Sequence, residues 1–398
     1  MVRAQFEPLA KLWGVKNEKV PELLNREAKL IMIDGKLQPL LNNSYFGGTY
    51  IDVKVNKINI NTVDQSKVKE VKNSLQMKEY KNYLRFKKAI NSLSQLKSTF
   101  VKIVKLAQKY NINSKIGIEP EANNVVIYLK DKNDPKNKEF IKNVKFFKPK
   151  IVYSSKKKKG KMVLNSFNSS TLVEKRQINQ IVFGGDKITA NYGPCSAGFW
   201  MKDQFQQDFL LTAGHCAYPY NDTSPKLFYR YYSNLAVLIG SMENYMVTPV
   251  DVGFIKKLTV NSHIRVVPNI RNIITTGVVH PIYVEYLIIG SVDIISAGIH
   301  ICKSGFVTGI TCGYVKSLDA VITIRRGSED KIGGLITTAY SYYGDSGGPM
   351  FQFSYTIPFV YAVGILIGGR SNSYEAESYC EPIRTAFEYG YTLVHYPH

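Results

Sequence analysis

The 398-residue chain contains no run of about 18 uninterrupted apolar residues, so no transmembrane helix is expected. Its first residues, Met1-Val2-Arg3-Ala4-Gln5-Phe6-Glu7, lack the basic-then-apolar profile of a secretory signal. Cysteine is missing from residues 1–194. The five cysteines, Cys195, Cys216, Cys302, Cys312 and Cys380, have no CxxC spacing, so a zinc site is not expected, and no other metal or cofactor is indicated. Acidic residues are scarce at the front of the chain. Residues 1–176 carry 37 Lys and Arg against 15 Asp and Glu, and residues 177–398 carry 15 against 16, for formal charges of +22 and −1. The lysines are scattered along helix-like segments and gathered at Lys156-Lys157-Lys158-Lys159, with few arginines and no interleaved aromatic platform. That pattern reads as a solvated surface, and nucleic-acid binding is not expected.

The cysteines that are present suit disulfides. Cys195 with Cys216 and Cys302 with Cys312 can each close a modest loop in a β-rich domain, which leaves Cys380 over. Such bridges belong to an oxidising compartment. They conflict with the unremarkable N-terminus, and on the weight of the cysteines the expectation is a secreted protein whose start is incomplete.

The chain is long for one domain. Residues 1–153 read as a small α+β region. Val20-Pro21-Glu22-Leu23-Leu24 is a helix start and Gly47-Gly48 a break. Ile51-Asp52-Val53-Lys54-Val55 and Ile58-Asn59-Ile60-Asn61 alternate as a hairpin. From about Glu79 to Tyr110, Leu84, Ile90, Leu93, Phe100, Val104 and Ala107 recur at helical spacing, predicting an amphipathic helix broken once, and Asn124–Leu129 gives a further strand. Residues 154–180 are polar, low in complexity and end near Lys175-Arg176, an exposed linker with a dibasic pair open to processing. From Ile181 the texture is all-β, with short Val/Ile/Tyr/Phe runs between Gly, Pro, Asn and Ser clusters until the helical Ile383–Tyr389.

Three motifs carry chemistry. Tyr343-Gly344-Asp345-Ser346-Gly347-Gly348-Pro349 is a sharp turn in which a serine hydroxyl is exposed and backbone N–H groups can converge. Leu210-Leu211-Thr212-Ala213-Gly214-His215-Cys216 delivers a histidine from an apolar run into a turn. Val250-Asp251-Val252-Gly253-Phe254-Ile255 sets one carboxylate among apolar neighbours. A serine hydroxyl is a weak nucleophile at neutral pH and needs an imidazole to take its proton, here His215. A buried carboxylate, here Asp251, holds that imidazole in one tautomer and stabilises its cation. Asp222, Asp293 and Asp319 compete for that role. The N–H groups of Gly344 and Ser346 would form an oxyanion hole. No acidic residue precedes Ser346 in its turn except Asp345 itself, so the expected P1 side chain is apolar.

Residues 181–398 resemble chymotrypsin-fold serine proteases. Cys302-Lys303-Ser304-Gly305 through Thr311-Cys312-Gly313 is similar to the bacterial alpha-lytic protease and streptogrisin branch. The resemblance implies an all-β double β-barrel, trypsin-like, in residues 181–398, preceded by an α+β pro-domain that aids folding of its own protease and inhibits it. It further implies a monomeric serine endopeptidase made as a zymogen, acting on polypeptides through an acyl-enzyme. Two departures stand out. The cysteine that precedes the serine turn in these relatives is missing, so Cys380 is expected to be free or bonded to something outside the chain. Their pocket strand is matched by Gly364-Ile365-Leu366-Ile367-Gly368-Gly369, which implies candidate substrate contacts at Tyr343, Ile367, Gly368 and Gly369; where that strand has a serine this chain has Ile367, which removes a hydroxyl that supports the aspartate. A protease homologue without activity, serving as a protein-binding module, is the alternative, and a basic nucleic-acid-binding protein is a third. Asn42, Asn168 and Asn221 each begin an N-x-Ser/Thr sequon.

Overall fold

The computed structural model describes residues 7–153, 180–190, 193–219, 224–232, 235–258, 264–272, 285–323, 331–356, 358–371 and 376–397. The linker at 154–179 with Lys175-Arg176, the sequons at Asn168 and Asn221, and Asp222 lie outside these residues. No helix among them is long and apolar enough to cross a membrane.

The N-terminal region is α+β, as its patterning predicts. The helix Val20–Leu37 has Pro21 in its first turn and buries Val20, Leu23, Leu24, Leu30, Ile33 and Leu37 on one face. Strands Phe46–Asp52 and Lys57–Thr62 form the expected hairpin, and Leu84–Lys88 adds to it in parallel. Gly47-Gly48 is not a break; it lies inside the first strand, where a register shift between Phe46 and Thr49 absorbs the glycines.

The single helix expected from Glu79 to Tyr110 is also corrected. Lys78–Tyr83 is a 3₁₀ turn and Leu84–Lys88 a strand. The helix begins at Leu93, after a capping box in which the Ser92 hydroxyl accepts from the Gln95 N–H and the Gln95 side chain accepts from the Ser92 N–H. Leu84 is buried because it pairs with Ile58 across the sheet, while Ile90 is solvent-exposed. Neither belongs to a helical face. The lysines also prove less separate from aromatics than the sequence suggests. Lys29 lies 4.7 Å from the Tyr83 ring centre, Lys36 5.1 Å from Tyr80 and Lys87 5.0 Å from Tyr50, partners that only folding brings together.

The C-terminal half is mostly β, with a closed six-stranded barrel and further sheets, in line with the all-β expectation. One sheet runs through Trp200–Lys202, Asp208–Thr212, Val252–Lys257, Leu235–Met246 and Leu227–Tyr232. A second contains His300–Gly305, Gly309–Thr323, Pro349–Phe353 and Phe359–Ser371. Arg384–Glu388 supplies the expected C-terminal helix.

The two regions share their interior. Leu9, Trp13, Val20, Leu23 and Leu24 pack in one buried cluster with Val182, Trp200, Leu210 and Ile365. Leu30, Ile33 and Leu37 pack in another with Ile299, Ile301, Val315 and Leu366. Buried polar contacts cross the same boundary: the Ser296 hydroxyl donates to Asp34 at 2.6 Å, and the His300 N–H donates to Glu27 at 2.8 Å. The second sheet is continuous across it as well. Ser114–Glu119 pairs antiparallel with the end of Gly309–Thr323, aligning Gly117 with Ala320 and Ile116 with Val321, and Asn124–Leu129 and Lys150–Tyr153 extend the sheet outward. This junction is tight. A Cβ on Gly117 would stand 2.8 Å from Ser317 Oγ and 2.9 Å from Ile336 Cδ1. Gly117→Val is therefore expected to lower stability by about 1–3 kcal/mol through overpacking, measured by chemical denaturation. A wild-type midpoint would contradict the tight junction.

Candidate functional site

Strand register brings the histidine and the aspartate together. Asp208–Thr212 pairs antiparallel with Val252–Lys257, Thr212 opposite Gly253. The residues just after the first strand and just before the second therefore meet at one end. His215 sits in the 3₁₀ turn Gly214–Ala217 that follows, and Asp251 immediately precedes the second strand.

Asp251 is fully buried and holds His215 twice. Its Oδ1 accepts from the His215 backbone N–H and its Oδ2 lies against Nδ1, both at 2.8 Å. The carboxylate thus fixes Nδ1 as the protonated nitrogen and leaves Nε2 as the basic one. Of the competing aspartates, Asp293 and Asp319 are exposed.

Ser346 sits in the turn before Pro349–Phe353. Gly344 and Gly347 have φ of +98° and +85°, a region that side-chain-bearing residues seldom adopt. Gly347 is also pressed against the other sheet, since a Cβ there would lie 1.9 Å from Thr212 Oγ1. Ser196 fastens the turn to that sheet. Its N–H donates to the Ser346 carbonyl at 2.7 Å, its hydroxyl to the Gly344 carbonyl at 2.9 Å, and its own carbonyl accepts from the Thr212 hydroxyl at 3.0 Å. Thr212 in turn leads directly into the His215 turn.

The inner side of the serine turn is held by Asp345. Its carboxylate accepts from the N–H groups of Val307 (3.0 Å), Thr308 (3.1 Å) and Tyr342 (3.0 Å) and from the Thr308 hydroxyl (2.5 Å). Lys303 Nζ approaches it at 3.1 Å, with both side chains fully buried. The ammonium also donates to the Gly309 carbonyl at 2.9 Å and to the Thr308 hydroxyl. Burial pulls the Lys303 pKa below the usual lysine range, against the opposing effect of Asp345. Neither Lys303 nor Ser196 was singled out from sequence. The signal available for Lys303 was a lysine two residues after Ile301 in an apolar strand, on the face that Ile301 buries.

His215 and Ser346 line a common cavity of about 580 Å³. Tyr343, Ile367, Gly368 and Gly369 line it too, with Ser341, Tyr342 and Leu366, so the four candidate substrate contacts come together around the serine. Its remaining wall is the N-terminal region, through Asn113, Ser114, Lys115, Tyr128, Leu129 and Lys130. No carboxylate lines it among the described residues. Next to the pocket strand, the Ser378 hydroxyl contacts the Ala339 carbonyl (2.6 Å) and the Ser341 hydroxyl (2.8 Å).

Both expected disulfides form, Cys195–Cys216 and Cys302–Cys312, the latter across directly paired strand positions. Cys195, His215 and Cys216 have ligand atoms within 4.8 Å of one another, but the bridge consumes both thiolates that a metal would need. Cys380 is free and buried, and burial pushes its thiol pKa well up.

No protein-family model matches the chain, and no curated protein matches it. Solved structures do. The chain is similar to Thermobifida fusca protease A (24% identity, TM-score 0.42), a Nocardiopsis protease (21%, 0.42) and alpha-lytic protease homolog N4 (21%, 0.43). Each likeness covers 54% of this chain and 98% or more of the other.

The buried pair and the buried thiol give two measurable expectations. Lys303→Met strands a buried carboxylate and should cost about 3 kcal/mol in denaturation; a loss below about 1 kcal/mol would show that the N–H donors alone suffice. Thiol titration of the native protein should detect no reactive group and that of the unfolded protein one, whereas a fast native reaction would place Cys380 at the surface.

Proposed function

We propose that the chain is a serine endopeptidase that hydrolyses peptide bonds through Ser346, His215 and Asp251. The observation that carries this reading is the double hold of a fully buried Asp251 on His215, beside a cavity that His215 shares with Ser346. In this mechanism His215 Nε2 takes the Ser346 proton as Oγ attacks the scissile carbonyl. The imidazolium that forms is stabilised by Asp251. The tetrahedral oxyanion is received by the N–H groups of Gly344 and Ser346, a contribution of several kcal/mol in such sites. His215 gives that proton to the leaving amine as the C–N bond breaks; it then takes a proton from the water that attacks the acyl-enzyme and returns it to Ser346 Oγ as the C–Oγ bond breaks and the carboxylic acid leaves.

The cavity supports an apolar P1 residue, since Leu366, Ile367, Tyr342 and Tyr343 line it and no carboxylate among the described residues does so to pair with Lys or Arg. The N-terminal region acts in this reading as an inhibitory pro-region, because Asn113–Lys115 and Tyr128–Lys130 wall the same cavity and strand Ser114–Glu119 is paired into the protease sheet. Processing falls between Arg176 and Ile181. The two disulfides fit secretion to an oxidising compartment.

Cleavage of a peptide library by protein nicked between residues 176 and 181 tests this function. Hydrolysis after apolar residues, reduced by at least about 10³-fold in Ser346→Ala, is expected. Strict cleavage after Lys or Arg would refute the P1 assignment, and equal cleavage by Ser346→Ala would refute the nucleophile. The un-nicked chain should be the slower of the two.

A further inference from the structure

Asp251 has a second carboxylate behind it. The backbone N–H of Asp251 donates to Glu381 Oε2 at 3.1 Å, and Glu381 Oε1 accepts from the Thr385 hydroxyl at 2.8 Å. Glu381 is 3% exposed and Asp251 fully buried, so water does not compete for these bonds. The Asp251 N–H precedes the strand Val252–Lys257, and without Glu381 a buried donor would lose this acceptor. Ile367, where a serine hydroxyl would reach an aspartate in the resembling proteases, lines a small cavity with Glu381 and Tyr379 and brings only hydrocarbon to it.

We propose that Glu381 is a positioning residue for the His215–Asp251 pair, taking over from the main-chain side the alignment that Ile367 cannot give from the side-chain side. Glu381 fixes where the chain enters the strand, and hence where the Asp251 carboxylate points. Both of its oxygens on His215 depend on that angle. The glutamate is tied in turn to the helix Arg384–Glu388 through Thr385, so the C-terminal helix becomes part of the support of the site.

The proposal depends on the hydrolase reading only for its kinetic readout; its primary test is the hydrogen bond between His215 Nδ1 and Asp251, followed by NMR with ring-labelled histidine in the full chain. A short, aligned Nδ1–H···carboxylate bond gives a downfield proton resonance, and misalignment of Asp251 moves that resonance upfield or broadens it away. Glu381→Asp keeps the charge but draws the acceptor back by one methylene, and Glu381→Leu removes it. Both should move the Nδ1 proton resonance upfield or broaden it away. Glu381→Gln retains a carbonyl acceptor and should keep the resonance. Thr385→Val, which releases Glu381 Oε1 from the helix, should weaken the resonance less than Glu381→Leu. In the nicked protein, Glu381→Asp should lose about tenfold in kcat/KM, carried by kcat. A wild-type Nδ1 proton resonance in Glu381→Asp overturns the proposal, as does its loss in Glu381→Gln to the same extent as in Glu381→Asp. A folded wild-type protein that cleaves no peptide yet shows the expected resonance pattern would refute the hydrolase reading and leave the positioning role standing.

Discussion

A lysine ammonium and an aspartate carboxylate meet 3.1 Å apart at Lys303 and Asp345, where neither touches solvent. Charges without water are tolerable only when their hydrogen-bonding capacity is filled, and here backbone N–H groups from two separate segments, 307–308 and 342, converge on the same carboxylate. The pair therefore does more than cancel charge. It sets the inner face of the turn whose outer face carries Ser346. Two glycines at positive φ let that turn adopt its shape, and Ser196 ties it to the sheet that bears Thr212 and His215. Polar contacts through Ser196 thus run from the serine turn to Thr212, at the end of the strand that leads into the His215 turn.

The N-terminal region meets this machinery through the second sheet. Its strand Ser114–Glu119 pairs with the far end of Gly309–Thr323, whose near end pairs with the strand that carries Lys303. The same region closes one wall of the cavity beside Ser346, while its helices share buried clusters with the C-terminal half. The Glu27–His300 and Asp34–Ser296 contacts add direction to that packing.

How much of this was legible in the sequence follows from the range of the interactions. His215, Asp251 and Ser346 could be picked out because a nucleophile turn, a histidine after an apolar run and a carboxylate inside one are each local patterns. The disulfide pairs were legible for a similar reason, as spacings within a β-rich stretch. Lys303, Ser196 and Glu381 were not, because each is defined by a partner far along the chain: Lys303 by Asp345, Ser196 by the Ser346 turn, Glu381 by the Asp251 amide. The misread helix from Glu79 has the same origin. Leu84 fits a 3.6-residue period, but its burial comes from Ile58 in a parallel strand, and no periodicity reports a neighbour 26 residues away. Gly47-Gly48 likewise looks like a break until the register shows the strand passing through it.

The central claim is that Ser346 is a nucleophile activated by His215. Mass spectrometry of the nicked protein after reaction with a fluorophosphonate tests it most directly. The account predicts a single phosphonyl adduct on Ser346, formed in the wild type and lost in His215→Ala. A folded, nicked protein that stays unmodified would contradict it, and would favour a protein-binding homologue without activity.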